Sequence, residues 1–134
     1  MKKILILLLL MVVSTNVMAE WTRVTESDDV GGMTSYADLG TIKRKSNKVK
    51  MWRLYDFKTV QIIAEDNTRF LSSVGRDEYD CEEETSQSLD YHWYSGNMRR
   101  GDIVYSSNNI KDEATSILPE SIGETLFKIA CDKK

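Results

Sequence analysis

Val49-Lys50-Met51-Trp52-Arg53-Leu54-Tyr55-Asp56-Phe57 is the stretch that decides the fold. Val49, Met51, Tyr55 and Phe57 fall on one side of a period-two pattern, and Trp52 and Leu54 on the other. This alternation predicts a strand partly covered on both faces, with Arg53 interrupting the first. Working outward, Trp21 to Thr25 and Thr34 to Leu39 read as short strands upstream. Downstream, Phe70 to Cys81 has mixed alternation and a Gly75 that marks a candidate bulge. Gln87, Leu89, Tyr91 and Trp93 then alternate against Ser88, Asp90, His92 and Tyr94, and Ile103 to Ser106 is a last short strand. Ser95-Gly96-Asn97 and Arg99-Arg100-Gly101-Asp102 supply turn chemistry between these two, so they read as a hairpin with an extended loop.

Near the C-terminus the period changes from two to 3.6. Ser121 and Glu124 form an S-x-x-E capping box after Pro119, and Ile122, Leu126, Ile129 and Ala130 follow at helical spacing. These residues predict an amphipathic helix with one apolar stripe. The expected fold class is therefore α+β: an antiparallel sheet of about six strands covered by a C-terminal helix, with one disulfide.

The N-terminus supplies an address. Lys2 and Lys3 precede an apolar run from Ile4 to Val13, then come Ser14-Thr15-Asn16 and Val17-Met18-Ala19 ahead of Glu20. The run is about half the length of a bilayer-spanning helix, and small residues at the −3 and −1 positions suit signal peptidase. Residues 1–19 are thus expected to be a signal peptide cleaved between Ala19 and Glu20, and residues 20–134 one domain. Because Glu20 stands where a lipoprotein has its cysteine, the product is expected to be unlipidated, periplasmic or secreted.

Cys81 and Cys131 are the only cysteines in 134 residues. Export favours pairing them, whereas metal binding lacks a C-x-x-C spacing and has a single histidine to draw on. The net charge of −3, made more acidic when Lys2 and Lys3 leave with the signal, disfavours nucleic acid as a partner.

No catalytic constellation emerges. His92 has no serine or cysteine motif to serve as its nucleophile and reads as a surface or packing residue. Asp77, Glu78, Asp80, Glu82, Glu83 and Glu84 lack the spacing of a calcium loop and read as a solvated acidic run. No cofactor is expected. Trp52, Tyr55, Tyr91, Trp93 and Tyr94 are candidates for an aromatic binding patch or for cross-strand core pairs. Lys43-Arg44-Lys45 with Lys48 and Lys50 reads as a solvated hairpin tip or an anion-binding patch. These residues favour a non-catalytic binding protein over a small periplasmic enzyme or inhibitor.

The same stretches resemble the surface-adhesin protein E family of Gram-negative bacteria. The resemblance is carried by Val49 to Phe57, Tyr79-Asp80-Cys81, Tyr94-Ser95-Gly96-Asn97-Met98 with Gly101, and Ser121-Ile122-Gly123-Glu124 through Ile129-Ala130-Cys131. It implies a compact sheet of about six antiparallel strands with a helix, and a non-enzymatic role in binding host matrix or serum proteins such as vitronectin, laminin and plasminogen. In that setting the terminal Lys133 and Lys134 become candidate partner-binding residues, since lysine-recognising domains take an ammonium and a free carboxylate together.

Overall fold

The computed structural model describes residues 20–63, 65–108 and 113–132; the leader, Lys133 and Lys134 lie outside them. The deciding stretch forms the middle of β3, Lys48–Ile63, the longest strand of the sheet. β1 (Thr22–Ser27), β2 (Met33–Lys45), β4 (Thr68–Asp80), β5 (Thr85–Tyr94) and β6 (Ile103–Ser107) complete one antiparallel path in sequence order. A two-residue β7, Thr115–Ser116, pairs with the start of β5. β7 carries no hydrophobic alternation, so the sequence reading missed it. The single α-helix among the described residues, α1, spans Ile122–Asp132. The protein is therefore mostly β, and the α+β expectation holds only in the coarse sense that one helix packs on an antiparallel sheet.

Pleating sends alternate residues of β3 into two separate cores. On one face Val49 and Met51 join Ala37, Tyr79, Leu126 and Ala130, all buried. Leu126 and Ala130 are one turn apart, so the buried stripe of α1 lies along these strands. Helical capping is as the sequence predicts at one contact: Ser121 Oγ accepts from the Glu124 backbone N–H at 3.1 Å. The return arm differs, because Glu124 Oε1 accepts from Glu120 N–H rather than from the capping residue. On the other face Leu54, Val74 and Tyr94 form a second core with Trp21, Tyr36, Trp52 and Met98 packed around it. Helix α1 thus covers part of one face. On the opposite face Met98 of the β5–β6 connection packs on the second core.

Cys81, just after β4, is bonded to Cys131 near the end of α1 with a Cα–Cα distance of 5.7 Å. The hairpin tip contributes beside it: Arg44 Nη2 donates to the Cys131 carbonyl at 2.7 Å. One of the last helix carbonyls thereby gains a donor, and the negative end of the helix dipole a cation. So part of the basic stretch Lys43 to Lys50 is structural rather than merely solvated. Its neighbours Lys48 and Lys50 pair with Glu78 on β4.

The strands run further than the sequence suggests. β2 continues to Lys45 through a register break between Asp38 and Lys43, and β3 continues to Ile63 through another between Asp56 and Gln61. Bulged ladders blur the alternation on which sequence reading depends. Gly75 is not at a bulge. The β4–β5 irregularity lies between Arg76 and Asp77, and Gly75 has a different reason to lack a side chain, described below.

Reduction of Cys81–Cys131 should destabilise the protein by about 4 kcal/mol in the chain-entropy model for a closed loop of this size. Urea unfolding with and without reductant measures it, with helical ellipticity falling before the sheet signal in the reduced protein.

Candidate functional site

Each face of the sheet carries one polar or aromatic constellation. On the helix side, Arg53 continues the row of Val49 and Met51 and is itself buried, being 9% exposed. Its Nε donates to Asp77 Oδ2 at 2.9 Å, and Asp77 Oδ1 accepts from Ser88 Oγ at 3.1 Å. The guanidinium lies 4.2 Å from the centroid of the Tyr55 ring. A methyl group added at Gly75 would come within 2.8 Å of it, so Gly75 is bare to let the guanidinium lie on its backbone. Arg53 therefore does not interrupt the buried face; it is part of it. Asp77 likewise departs from the expected solvated run, whereas Asp80 caps the following turn by accepting from the N–H groups of Glu82 and Glu83.

Burial alone would depress the basicity of Arg53, but the attraction of Asp77, with smaller contributions from Tyr55 and Tyr79, outweighs it and the group stays charged. Burial, reinforced by the Asp77 charge, pushes the Tyr79 phenol well above its ordinary value near 10.0. Tyr55 is raised mainly by burial as well, against the lowering effect of Arg53. Arg53 Nη1 is buried and has no hydrogen-bond partner among the described residues.

Beyond this pair the same face bears a row of rings. Phe70 and Trp93 stack at 4.6 Å between centroids, Trp93 and Tyr91 at 5.6 Å, and Tyr91 and Tyr105 at 5.7 Å. Phe57 meets Phe70 edge-on. The ring faces are turned toward one another, so their attraction is used up within the row as cross-strand stabilisation, about 0.5–1.5 kcal/mol per pair. The five aromatic candidates accordingly do not make one patch. Tyr55, Tyr91 and Trp93 belong to this face, Trp52 and Tyr94 to the other.

On that opposite face a cavity of about 420 Å³ opens over β2 to β5, between Trp21 and the β5–β6 connection. Trp21, Trp52, Val74, His92 and Tyr94 give it apolar and aromatic walls, and Asp38, Thr41 and Arg99 give it polar ones. The local sequence builds this arrangement. Where β2 breaks register, Thr41 Oγ1 donates to the Asp38 carbonyl at 2.6 Å and accepts from the Trp52 N–H at 3.0 Å, replacing lost ladder bonds. The bulge leaves Asp38 buried at the cavity edge. His92 stacks on Trp52 at 6.3 Å, and its Nδ1 is 2.8 Å from Ser106 Oγ. That contact pairs a histidine with a serine that no motif announced. No carboxylate lies within hydrogen-bond reach of the ring among the described residues, so it is not the nucleophile, base and orienter set that catalysis needs.

The β5–β6 connection is held unusually firmly. Met98 and Arg99 both have left-handed backbones, with φ of 51° and 63°, a conformation that costs non-glycine residues free energy. Asp56 Oδ1 accepts from Met98 N–H at 2.7 Å, Ser72 Oγ accepts from Arg99 N–H at 3.0 Å, and Ser72 Oγ donates to the Gly96 carbonyl at 2.6 Å. Asn97 Nδ2 also donates to the Phe57 carbonyl at 2.7 Å. With its backbone so fixed, Arg99 donates from Nε to the Tyr94 hydroxyl at 3.2 Å at the edge of the cavity. Sequence reading singled out Trp52, His92 and Tyr94 but neither Asp38 nor Arg99. A D-x-G turn at Asp38-Leu39-Gly40, in which Asp38 Oδ1 accepts from Gly40 N–H, was the one available signal.

These features define a disulfide-stapled, curled antiparallel sheet that offers a recessed cavity and no assembled catalytic set among the described residues. The model of the Surface-adhesin protein E family matches residues 21–132, and the chain belongs to that family. Two solved structures of Haemophilus influenzae protein E share the fold. Its crystal form II superposes with a TM-score of 0.64 at 15% identity, covering 88% of this chain and 91% of that one. The protein from a non-typeable strain does so with a TM-score of 0.60 at 14% identity, covering 88% and 79%. No curated protein sequence matches significantly. No helix among the described residues is long and apolar enough to cross a membrane.

Asp77→Asn should cost about 3–5 kcal/mol, the range for stripping a buried charge of its partner. The apolar double change Arg53→Met with Asp77→Leu should recover most of that loss, and chemical denaturation of the three proteins measures both. A raised phenol pKa favours the protonated native state, so above pH 10 the unfolded chain releases protons that the folded one retains, and stability falls. Tyr79→Phe should flatten this alkaline decline, as thermal midpoints taken across pH 9 to 11 would reveal.

Proposed function

We propose that the protein is a non-catalytic binding protein of the bacterial envelope, exported by residues 1–19 and released between Ala19 and Glu20 without a lipid anchor. The observation that carries this reading is membership of the surface-adhesin protein E family across residues 21–132. The resemblance drawn from the sequence points to extracellular matrix or serum proteins of a host as partners. In that reading Lys133 and Lys134 are partner contacts, offering ammonium groups to a lysine-binding domain such as those of plasminogen.

The disulfide supports a site of action outside the reducing cytoplasm. The mixed surface charge, with Lys48 and Lys50 sharing Glu78 between them, is what one expects of a protein that meets protein rather than nucleic acid.

Fractionation of the producing cell should recover the protein in periplasmic or culture fluid, with Glu20 as the first residue by mass spectrometry. In a pull-down from host serum and matrix extract, deleting Lys133 and Lys134 should abolish plasminogen capture without moving the thermal midpoint, and a free lysine analogue should compete. Retention in the cytoplasm with Met1 intact would end the export reading. Capture indifferent to both the deletion and the analogue would end the role of the tail.

A further inference from the structure

The cavity on the face opposite α1 joins two unpaired charges of opposite sign to an apolar body. Asp38 is only 8% exposed, and among the described residues its side chain accepts one hydrogen bond, from the Gly40 N–H to Oδ1 at 3.1 Å. Among the described residues no cation pairs with it. The Gly40 bond holds the turn with one carboxylate oxygen, and the carboxylate borders the cavity without an ion-pair partner among the described residues. Arg99 lies at the same cavity, and among the described residues no carboxylate pairs with it either; its one side-chain hydrogen bond goes to the neutral Tyr94 hydroxyl. Its position depends on two successive left-handed residues fixed by Asp56 and Ser72. Strain so over-determined belongs to places where a side chain must be aimed.

Between these charges the walls are Trp21, Trp52 and Val74. Trp21 arrives there by register, since one residue beyond the Thr22–Ala37 pair brings it beside Asp38. Aromatic rings next to a carboxylate suit an ammonium group, which gains from the ring quadrupole as well as from the charge. A guanidinium suits a carboxylate. The volume, about 420 Å³, lies in the range of small-molecule sites.

We propose that this cavity binds a small zwitterion of the amino-acid type, its ammonium at Asp38 between Trp21 and Trp52, its carboxylate at Arg99, and its apolar side chain against Val74. This goes beyond the partner-protein reading and does not rest on it. Arg76 is the other cation near these rings, 5.7 Å over Trp52, but it is already paired with Asp90. The ligand carboxylate is therefore left to Arg99.

The test uses three probes that share one apolar body: L-phenylalanine, 2-phenylethylamine without the carboxylate, and 3-phenylpropionate without the ammonium. Binding to the protein purified from the producing cell is read from tryptophan emission, excited where the probes do not absorb, with calorimetry as a second readout. L-Phenylalanine should bind at least tenfold more tightly than either of the others. Asp38→Asn should erase its advantage over 3-phenylpropionate, and Arg99→Gln its advantage over 2-phenylethylamine, each with the thermal midpoint checked. Arg99 is exposed and its substitution does not threaten the core, so that arm stands even if the Asp38 variant fails to fold. Equal affinity for the three probes, or no binding of any, overturns the proposal. A preference for 3-phenylpropionate overturns it too, for it would mean that Asp38 is satisfied by the chain's own α-amine at Glu20.

Discussion

The ion pair between Arg53 and Asp77 is the constraint around which the sheet is arranged. Both groups sit in the interior of the helix-side face, and their 2.9 Å contact joins the two central strands, β3 and β4. Everything near them is shaped to keep the charges matched. Gly75 is bare so that the guanidinium can lie flat, Tyr55 covers it from the side, and Ser88 on β5 completes the carboxylate. The apolar core of Val49, Met51, Leu126 and Ala130 begins on one side of the pair and the aromatic row on the other. A one-residue slip of β4 would send Asp77 to the opposite face and leave Arg53 unmatched in the interior, so the pair specifies register as well as joining strands.

That pair also shows where sequence reading succeeds and where it stops. Alternation placed Val49, Met51 and Phe57 on one face and Trp52 and Leu54 on the other, because side-chain direction in a strand follows position alone. It could not say that Arg53 belongs to the buried row, since a charge is accepted inside only if a partner meets it, and the partner lies 24 positions away. The same limit hid the cavity. Asp38 is turned inward by a bulge, and Arg99 is aimed by a loop whose two left-handed residues are not glycine. Those conformations are imposed by Asp56 and Ser72 from other strands. The Ser121 cap on the Glu124 N–H, by contrast, is a local contact and was legible at once, although the return arm of the expected box goes to Glu120 instead. So was the pairing of Cys81 with Cys131, for which compartment and count sufficed. The stretch from Lys58 to Ile63 was lost because the register break before Gln61 interrupts its period.

The two faces divide labour. The helix side is closed by α1, by the buried pair and by rings that stack on each other, which leaves its chemistry internally satisfied apart from Arg53 Nη1. The other side pairs Arg76 with Asp90 but leaves Asp38 and Arg99, among the described residues, without an ion-pair partner around a recess. A binding protein is better served by unsatisfied groups held rigidly than by flexible ones, because the ordering cost is met during folding rather than at recognition. The anchored connection from Tyr94 to Ile103 has that property.

The disulfide has a mechanical meaning. Tension applied between the N-terminal and C-terminal ends travels through β1 to β4, reaches Cys81 and crosses directly to Cys131, so the intervening segment carries no load. Residues 82–130, which include β5, β6 and the Arg99 loop, are shielded. At full extension they would add about 170 Å of contour length, and the bond withholds it. Stretched between two attachment points, the chain would give up β1 before it gave up the half of the cavity that Tyr94 and Arg99 supply.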